Sequence, residues 1–171
     1  MTAPKAMDIA NDFISRYGAD LYLTNLKLNK LVYYTQVESL RETGKPLFTD
    51  TVEAWDYGPV EPEVYRSFKL FGDGHIQTPL GAYTTDTYVN RIVDTVVEKF
   101  HPVAHEDKVP VMGWQKIEIQ GDGSRNKPIS IKTILSSQDV KEYPQLKGPL
   151  AQSADTVNKQ FANALKLLED A

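Results

Sequence analysis

The sequence predicts a mainly α protein, a compact helical domain around a central buried helix at about residues 24–43, with a short β element and a C-terminal amphipathic helix. Three observations predict it. Apolar residues recur at i, i+3, i+4 and i+7 in several separate windows, the signature of helices with one buried face. Only the stretch after Pro46 and a weaker one near residue 117 change to an alternating period. The chain has 171 residues, 41% of them apolar and 25% charged. A chain of that size can bury roughly 70% of its unfolded surface and needs no covalent staples.

The first predicted helix covers residues 5–17, with Ile9, Phe13, Ile14 and Tyr17 on one face and Gly18 just past its end. The second begins after Thr24, a capping residue, and runs to about Thr43, where Gly44 and Pro46 stop it. It carries two apolar rows, Leu26, Tyr33, Val37 and Leu40 beside Leu28, Leu31, Val32 and Thr35. A helix apolar on more than one stripe is surrounded by others, which makes this the central element. Residues 51–57 mix β-branched and aromatic side chains and set Val52, Ala54 and Asp56 against Glu53, Trp55 and Tyr57, as in a short strand or extended arm. Gly58 and Pro59 read as a turn, and Pro62 suits the first turn of a third helix carrying Val64, Tyr65, Phe68 and Phe71 up to Gly72. Residues 73–84 read as loop. The fourth helix holds Val89, Ile92, Val93, Val96, Val97 and Phe100, is capped by Thr85 or Asp86, and is expected to end at Pro102. Ile129, Ile131, Ile134 and Leu135 read as a returning strand or a short helix after Ser130; an extended Ile129 turning into helix fits best. Residues 1–140 are expected to form one domain and 141–171 a linker and an amphipathic helix. Its seam of Leu150, Ala154, Val157, Phe161, Ala164 and Leu168, widened by Leu165 and Leu167, has a heptad-like spacing. That helix either packs on its own core or docks on a partner.

Composition excludes several function classes. The chain has no cysteine, which removes disulfides, zinc–thiolate sites and thiol nucleophiles. Its formal net charge is -4 and no basic run interrupts it, so a nucleic-acid-binding face is not expected. No apolar stretch approaches the ~20 residues of a membrane span. With no apolar signal core after Met1, a soluble cytoplasmic protein is the expectation. His101 and His105 have the i, i+4 spacing of metal ligands, but Pro102 lies between them and solvated loop residues explain them as well. The loop of Gly121, Asp122, Gly123, Ser124 and Arg125 has anion-cradling chemistry, yet lacks the Gly-Lys-Ser/Thr ending of a phosphate loop and reads better as a hairpin turn. Lone His75 reads as solvent-facing. The acidic residues Glu53, Asp56, Glu61 and Glu63 cluster around a turn and read as a solvated face. Neither a catalytic set nor a cofactor site emerges. What stands out is the concentration of aromatics at Tyr33, Tyr34, Phe48, Trp55, Tyr57, Tyr65, Phe68 and Phe71, residue types that serve both cores and interfaces. Lys30 lies inside the apolar helix; buried, it would need a carboxylate such as Glu53 or Asp56, and otherwise it reaches water.

Three blocks carry a resemblance. Leu28-Asn29-Lys30-Leu31-Val32-Tyr33-Tyr34-Thr35-Gln36, then Gly44-Lys45-Pro46-Leu47-Phe48, then Glu53-Ala54-Trp55-Asp56-Tyr57-Gly58-Pro59-Val60-Glu61-Pro62-Glu63-Val64-Tyr65, closely resemble the Panacea domain. That family includes SocA-type antitoxins and phage-associated GepA-like proteins. The resemblance covers about residues 6–72, weakens through the fourth helix, and departs from the family pattern after Phe100. It implies a small helical domain with a short β element and a non-enzymatic role as the antitoxin of a toxin–antitoxin pair. The expected partner is a cognate protein toxin encoded by an adjacent gene, alarmone-synthetase-like enzymes being among the toxins met by the family. Direct binding is the usual mode; SocA-type members instead deliver the toxin to a cellular protease. Toxin contact is expected at Glu53, Asp56, Glu61 and Glu63 and at Val157, Phe161, Leu165 and Leu168. The competing reading is a metal-dependent or nucleotide-processing enzyme built on His101, His105 and the Gly121 loop.

Overall fold

The computed structural model describes residues 2–56, 58–104, 127–136 and 140. Their helices are α1 (Ala6–Tyr17), α2 (Asn25–Thr43), α3 (Pro62–Phe68), α4 (Thr87–Ala104) and α5 (Ile131–Ser136), with a 3-10 turn at Lys69–Phe71 after α3. Three short strands, β1 (Val52–Trp55), β2 (Gly58–Val60) and β3 (Lys127–Ile129), form one sheet in the order β2-β1-β3. Both pairings are antiparallel, with Trp55 opposite Gly58 and Val52 opposite Ile129. The mainly α expectation with a small β element therefore holds for the described residues.

Helix α2 is central because most of its residues, polar ones among them, are buried: it packs against α1, α3, α4, α5 and β2. Its ends are set locally. The Thr24 hydroxyl accepts from the Lys27 N–H at 3.2 Å, and Gly44 leaves the helix with φ 71°, a conformation costly to any residue with a Cβ. Apolar side chains of all five helices and of β1 and β3 join one core, with Ile9, Phe13, Leu28, Leu31, Phe68, Ile92 and Ile134 fully enclosed. Buried Gln36 secures the chain leaving α2. Its amide nitrogen donates to the Phe48 carbonyl at 2.9 Å, while its oxygen accepts from the Leu47 and Phe48 N–H groups at 2.7 and 3.2 Å. That segment would otherwise bury unpaired backbone groups.

Ionic contacts tie α4 to its neighbours. Buried Glu38 of α2 is held by Arg41 at 2.5 Å and by Lys99 of α4 at 2.7 Å. Exposed Arg91 grips Glu42 through two hydrogen bonds of 2.9 and 2.7 Å, which holds the Glu42 carboxyl below its ordinary pKa. Between α1 and α4, Asp94 takes a hydrogen bond from the Tyr17 hydroxyl and an ion pair from Arg16, each at 2.5 Å. Burial beside Asp94 pushes the Tyr17 pKa up to about 12. Asp12 lies beneath this group, buried, with Arg16 3.7 Å away and no hydrogen bond to one of its oxygens. Burial raises its pKa despite the guanidinium, and Asp94 adds to the rise.

Three local expectations need correction. Gly58–Val60 is a strand as well as a turn, since it pairs with β1. Helix α4 passes Pro102 and is described as far as Ala104, so Pro102 does not end it. Gly18 stands just past α1 as its C-cap, as expected, with φ -61°. It is glycine for space, as a side chain there would meet the carbonyl oxygens of Ile14 and Gln77. His75 does not face solvent freely. Its Nε2 lies 2.7 Å from the Gly18 carbonyl and 2.9 Å from that of Leu21, with the Tyr22 ring stacked on it at 4.7 Å. Two acceptors at one nitrogen require that nitrogen to carry the proton. The expected linker and helix at residues 141–171, like the weak strand near residue 117, lie outside the described residues.

Candidate functional site

The blocks at residues 28–36 and 53–65 meet at the N-terminal end of α2. Asn29 points inward and makes the joint. Its side-chain nitrogen donates to the backbone and side-chain oxygens of Asn25 at 3.0 and 2.9 Å, and its Oδ1 accepts from the Glu61 N–H at 3.1 Å. Asn25 in turn donates to the Tyr65 carbonyl at 2.9 Å. Two asparagines thus clamp the segment leading into α3, where a buried N–H without a partner would be costly. Leu28, Leu31 and Tyr33 fill the core, and the Tyr33 ring meets Tyr34 edge-on at 5.5 Å.

The hairpin follows from the sequence at its tip. With Trp55 opposite Gly58, two residues close the turn, and Gly58 takes φ 127°, open to glycine and strained for other residues. Pro59 is tolerated because, among the described residues, β2 pairs with β1 on one side only. Gly58, Pro59 and Val60 are all buried. Glu61 then starts α3 as its N-cap: the carboxylate accepts from the Glu63 and Val64 N–H groups at 3.2 and 2.8 Å, and Pro62 occupies the first helical position. Burial raises the Glu61 pKa, opposed by those two N–H groups.

The acidic residues therefore do not form one face. Glu61 is 6% exposed, and its carboxylate caps α3. Glu53, half-buried on β1, accepts from the Trp55 indole N–H at 2.7 Å. Asp56 and Glu63 are exposed. Lys30 is half-buried, and among the described residues no ion pair reaches it, so neither Glu53 nor Asp56 serves as its partner. Burial alone lowers its pKa. Tyr57, His105, the Gly121 loop and Val157, Phe161, Leu165 and Leu168 lie outside the described residues.

What reaches the surface here is aromatic. Trp55 and Tyr65, both half-buried, pack edge-to-face at 4.7 Å and join the hairpin to α3. Indole and phenol in a fixed pair present apolar area with polar edges, the chemistry of a protein contact. Among the described residues no group of three or more His, Cys, Asp or Glu side chains is placed to hold a metal ion. No helix among them is long and apolar enough to cross a membrane. The capping role of Glu61 has a sequence signal, a polar residue directly before Pro and a helical run. The role of Asn29 has none, because the Glu61 N–H it accepts from is 32 residues away.

The family model described as "Antitoxin SocA-like, Panacea domain" matches residues 28–132, more than half of the chain, taking in Asn29, the hairpin and α3. Antitoxin SocA of Caulobacter vibrioides (strain NA1000 / CB15N) is 38% identical over 77 residues, 43% of this chain. The match spans 41% of that relative's own length. No solved structure matches the chain.

Proposed function

Because the chain belongs to the SocA-like Panacea-domain family, we propose that it is a non-enzymatic antitoxin that binds and neutralises a cognate protein toxin encoded by an adjacent gene. Family membership carries the reading, and the site geometry supports it. Asn29, Gly58, Pro59, Val60 and Glu61 are used in holding α2, the hairpin and α3 together. Trp55, Tyr65, Asp56 and Glu63 remain at the surface, a contact face of aromatic and acidic side chains. Asp56 and Glu63 suit a basic rim on the toxin, of the kind that an enzyme handling nucleotides or RNA presents, and such complementary charge acts mainly on the association rate.

Co-expression tests the reading. The adjacent open reading frame is induced alone and with this protein in a bacterial host, followed by a pull-down. Growth arrest by the neighbour alone, with rescue and co-purification, is the expected result. A harmless neighbour overturns the proposal. Rescue without a stable complex, lost in a protease-deficient host, replaces neutralisation by binding with delivery to a protease.

A further inference from the structure

The outward side of β1 carries the means of holding Trp55. Strand residues two apart share a face, so Glu53 and Trp55 stand together on one side of the sheet while Val52 and Ala54 enter the core. With β1 between β2 and β3, its backbone is fixed from both sides. That pairing does not fix the Trp55 side chain. The residue opposite it on β2 is Gly58, which has no side chain to pack against the indole. Two other contacts hold the ring. Its Nε1–H donates to the Glu53 Oε2 at 2.7 Å, and the Tyr65 ring meets it edge-on at 4.7 Å. A hydrogen bond to a carboxylate is among the strong ones, and here it restrains both torsions of the indole side chain.

Nothing else in its surroundings claims the Glu53 carboxylate. Its cross-strand neighbours are Val60 and Pro128, whose side chains carry no donor. Among the described residues no ion pair engages it. The bond also changes what Trp55 offers a partner: with the N–H taken, the indole presents its ring and no free donor. An interface side chain held in one rotamer before contact loses less freedom on binding than a loose one.

We infer that Glu53 is a positioning residue for the toxin contact: it holds Trp55 in the orientation in which the ring meets the toxin, and its own charge makes no contact there. The inference rests on the antitoxin reading and on the aromatic face proposed above. It separates Glu53, which acts through a neighbour on its own strand, from Asp56 and Glu63, whose charges act on the toxin directly.

The test is a double-mutant cycle on the full chain, with the product of the adjacent open reading frame, in a catalytically inactivated form, as probe. Titration calorimetry is run on wild type, Glu53→Ala, Glu53→Gln, Trp55→Phe and Glu53→Ala/Trp55→Phe, with circular dichroism and Tm recorded for each. In a Trp114→Phe background, Trp55 alone supplies an indole N–H resonance, which reports its hydrogen bond without any partner. Glu53→Ala should shift that resonance and weaken Kd about 5-fold, the effect of one side chain left to be ordered on binding. Glu53→Gln removes the charge but keeps an oxygen that accepts the N–H, so it should bind within about two-fold of wild type. In the Trp55→Phe background, Glu53→Ala should cost nothing further, because the donor it serves is gone. If Glu53→Gln binds as weakly as Glu53→Ala, or if Glu53→Ala costs as much with Phe at position 55 as with Trp, Glu53 meets the toxin itself and the inference is overturned. If wild type binds and every variant binds within about two-fold of it, the inference is wrong and the antitoxin reading stands. If wild type does not bind at all, the antitoxin reading falls and the inference with it.

Discussion

Replacing Asn29 with alanine should free the segment before α3 from α2. Three hydrogen bonds disappear, two to Asn25 and one from the Glu61 N–H. The Glu61 N–H is the costly one, because it remains buried without a partner at about 1–3 kcal/mol, and each lost bond adds roughly 0.5–1.5 kcal/mol. Asn25 retains other neighbours, so the sum falls at about 2–4 kcal/mol, a large part of the roughly 5–15 kcal/mol typical of a domain. Urea unfolding followed by tryptophan emission measures it. The chain has two tryptophans, so a Trp114→Phe background leaves Trp55, in the hairpin itself, as the reporter. With a slope of about 2 kcal/mol per M, the midpoint should fall by roughly 1–2 M. Asn29→Asp is the informative control. It keeps an acceptor for the Glu61 N–H but loses both donations to Asn25 and sets a charge near the buried Glu61 carboxyl, so it should not rescue. A loss below about 0.5 kcal/mol in Asn29→Ala, with Trp55 emission unchanged, would refute the clamp.

Three other outcomes are expected. Gly44→Ala should lose about 1–2 kcal/mol by thermal unfolding, all of it from the backbone, since φ is 71° and no atom lies within 4 Å of the new methyl. Asp12→Asn should raise Tm at neutral pH by roughly 2–4 °C, the shift that about 1 kcal/mol produces in a chain of this size. The folded-state pKa of Asp12 is raised above 3.8, so its contribution to stability is present at low pH and lost as pH climbs through the folded value; the variant should lack that dependence. Glu42→Gln should cost about 0.2–1 kcal/mol at low ionic strength and almost nothing at about 1 M salt, because the Arg91 pair is exposed and screened. Its sign is opposite: Glu42 is held below 4.5, so that contribution is present above 4.5 and lost as pH falls through the folded value.

Elements with local causes were legible in the sequence. Thr24 and Gly44 delimit α2 through capping and a left-handed exit, chemistry complete within a few residues. The i, i+3, i+4 spacing identifies α4, and its 3.6-residue period needs no knowledge of what covers it. The alternation of residues 52–55 gives β1 its buried and half-buried faces, and Ser130 separates an extended Ile129 from α5. The family resemblance, too, rests on contiguous blocks of residues, and the matching family model spans them.

Partnership across the chain was not legible. Period-2 patterning marks a strand but not its neighbour, so the pairing of Gly58–Val60 with β1 appears only when the hairpin closes. A count of carboxylates places Glu53, Asp56, Glu61 and Glu63 together, yet packing divides them: Glu61 turns inward to cap α3, and Glu53 binds the Trp55 indole. Asn29 is an unremarkable polar residue in an apolar helix until the Glu61 N–H arrives from 32 positions away. Capping, periodicity and turn geometry are short-range free energies, written in neighbouring residues and so determined by the sequence itself. Which buried donor meets which acceptor, and which apolar side chain is left facing water, are decided only when distant segments compete for the same space.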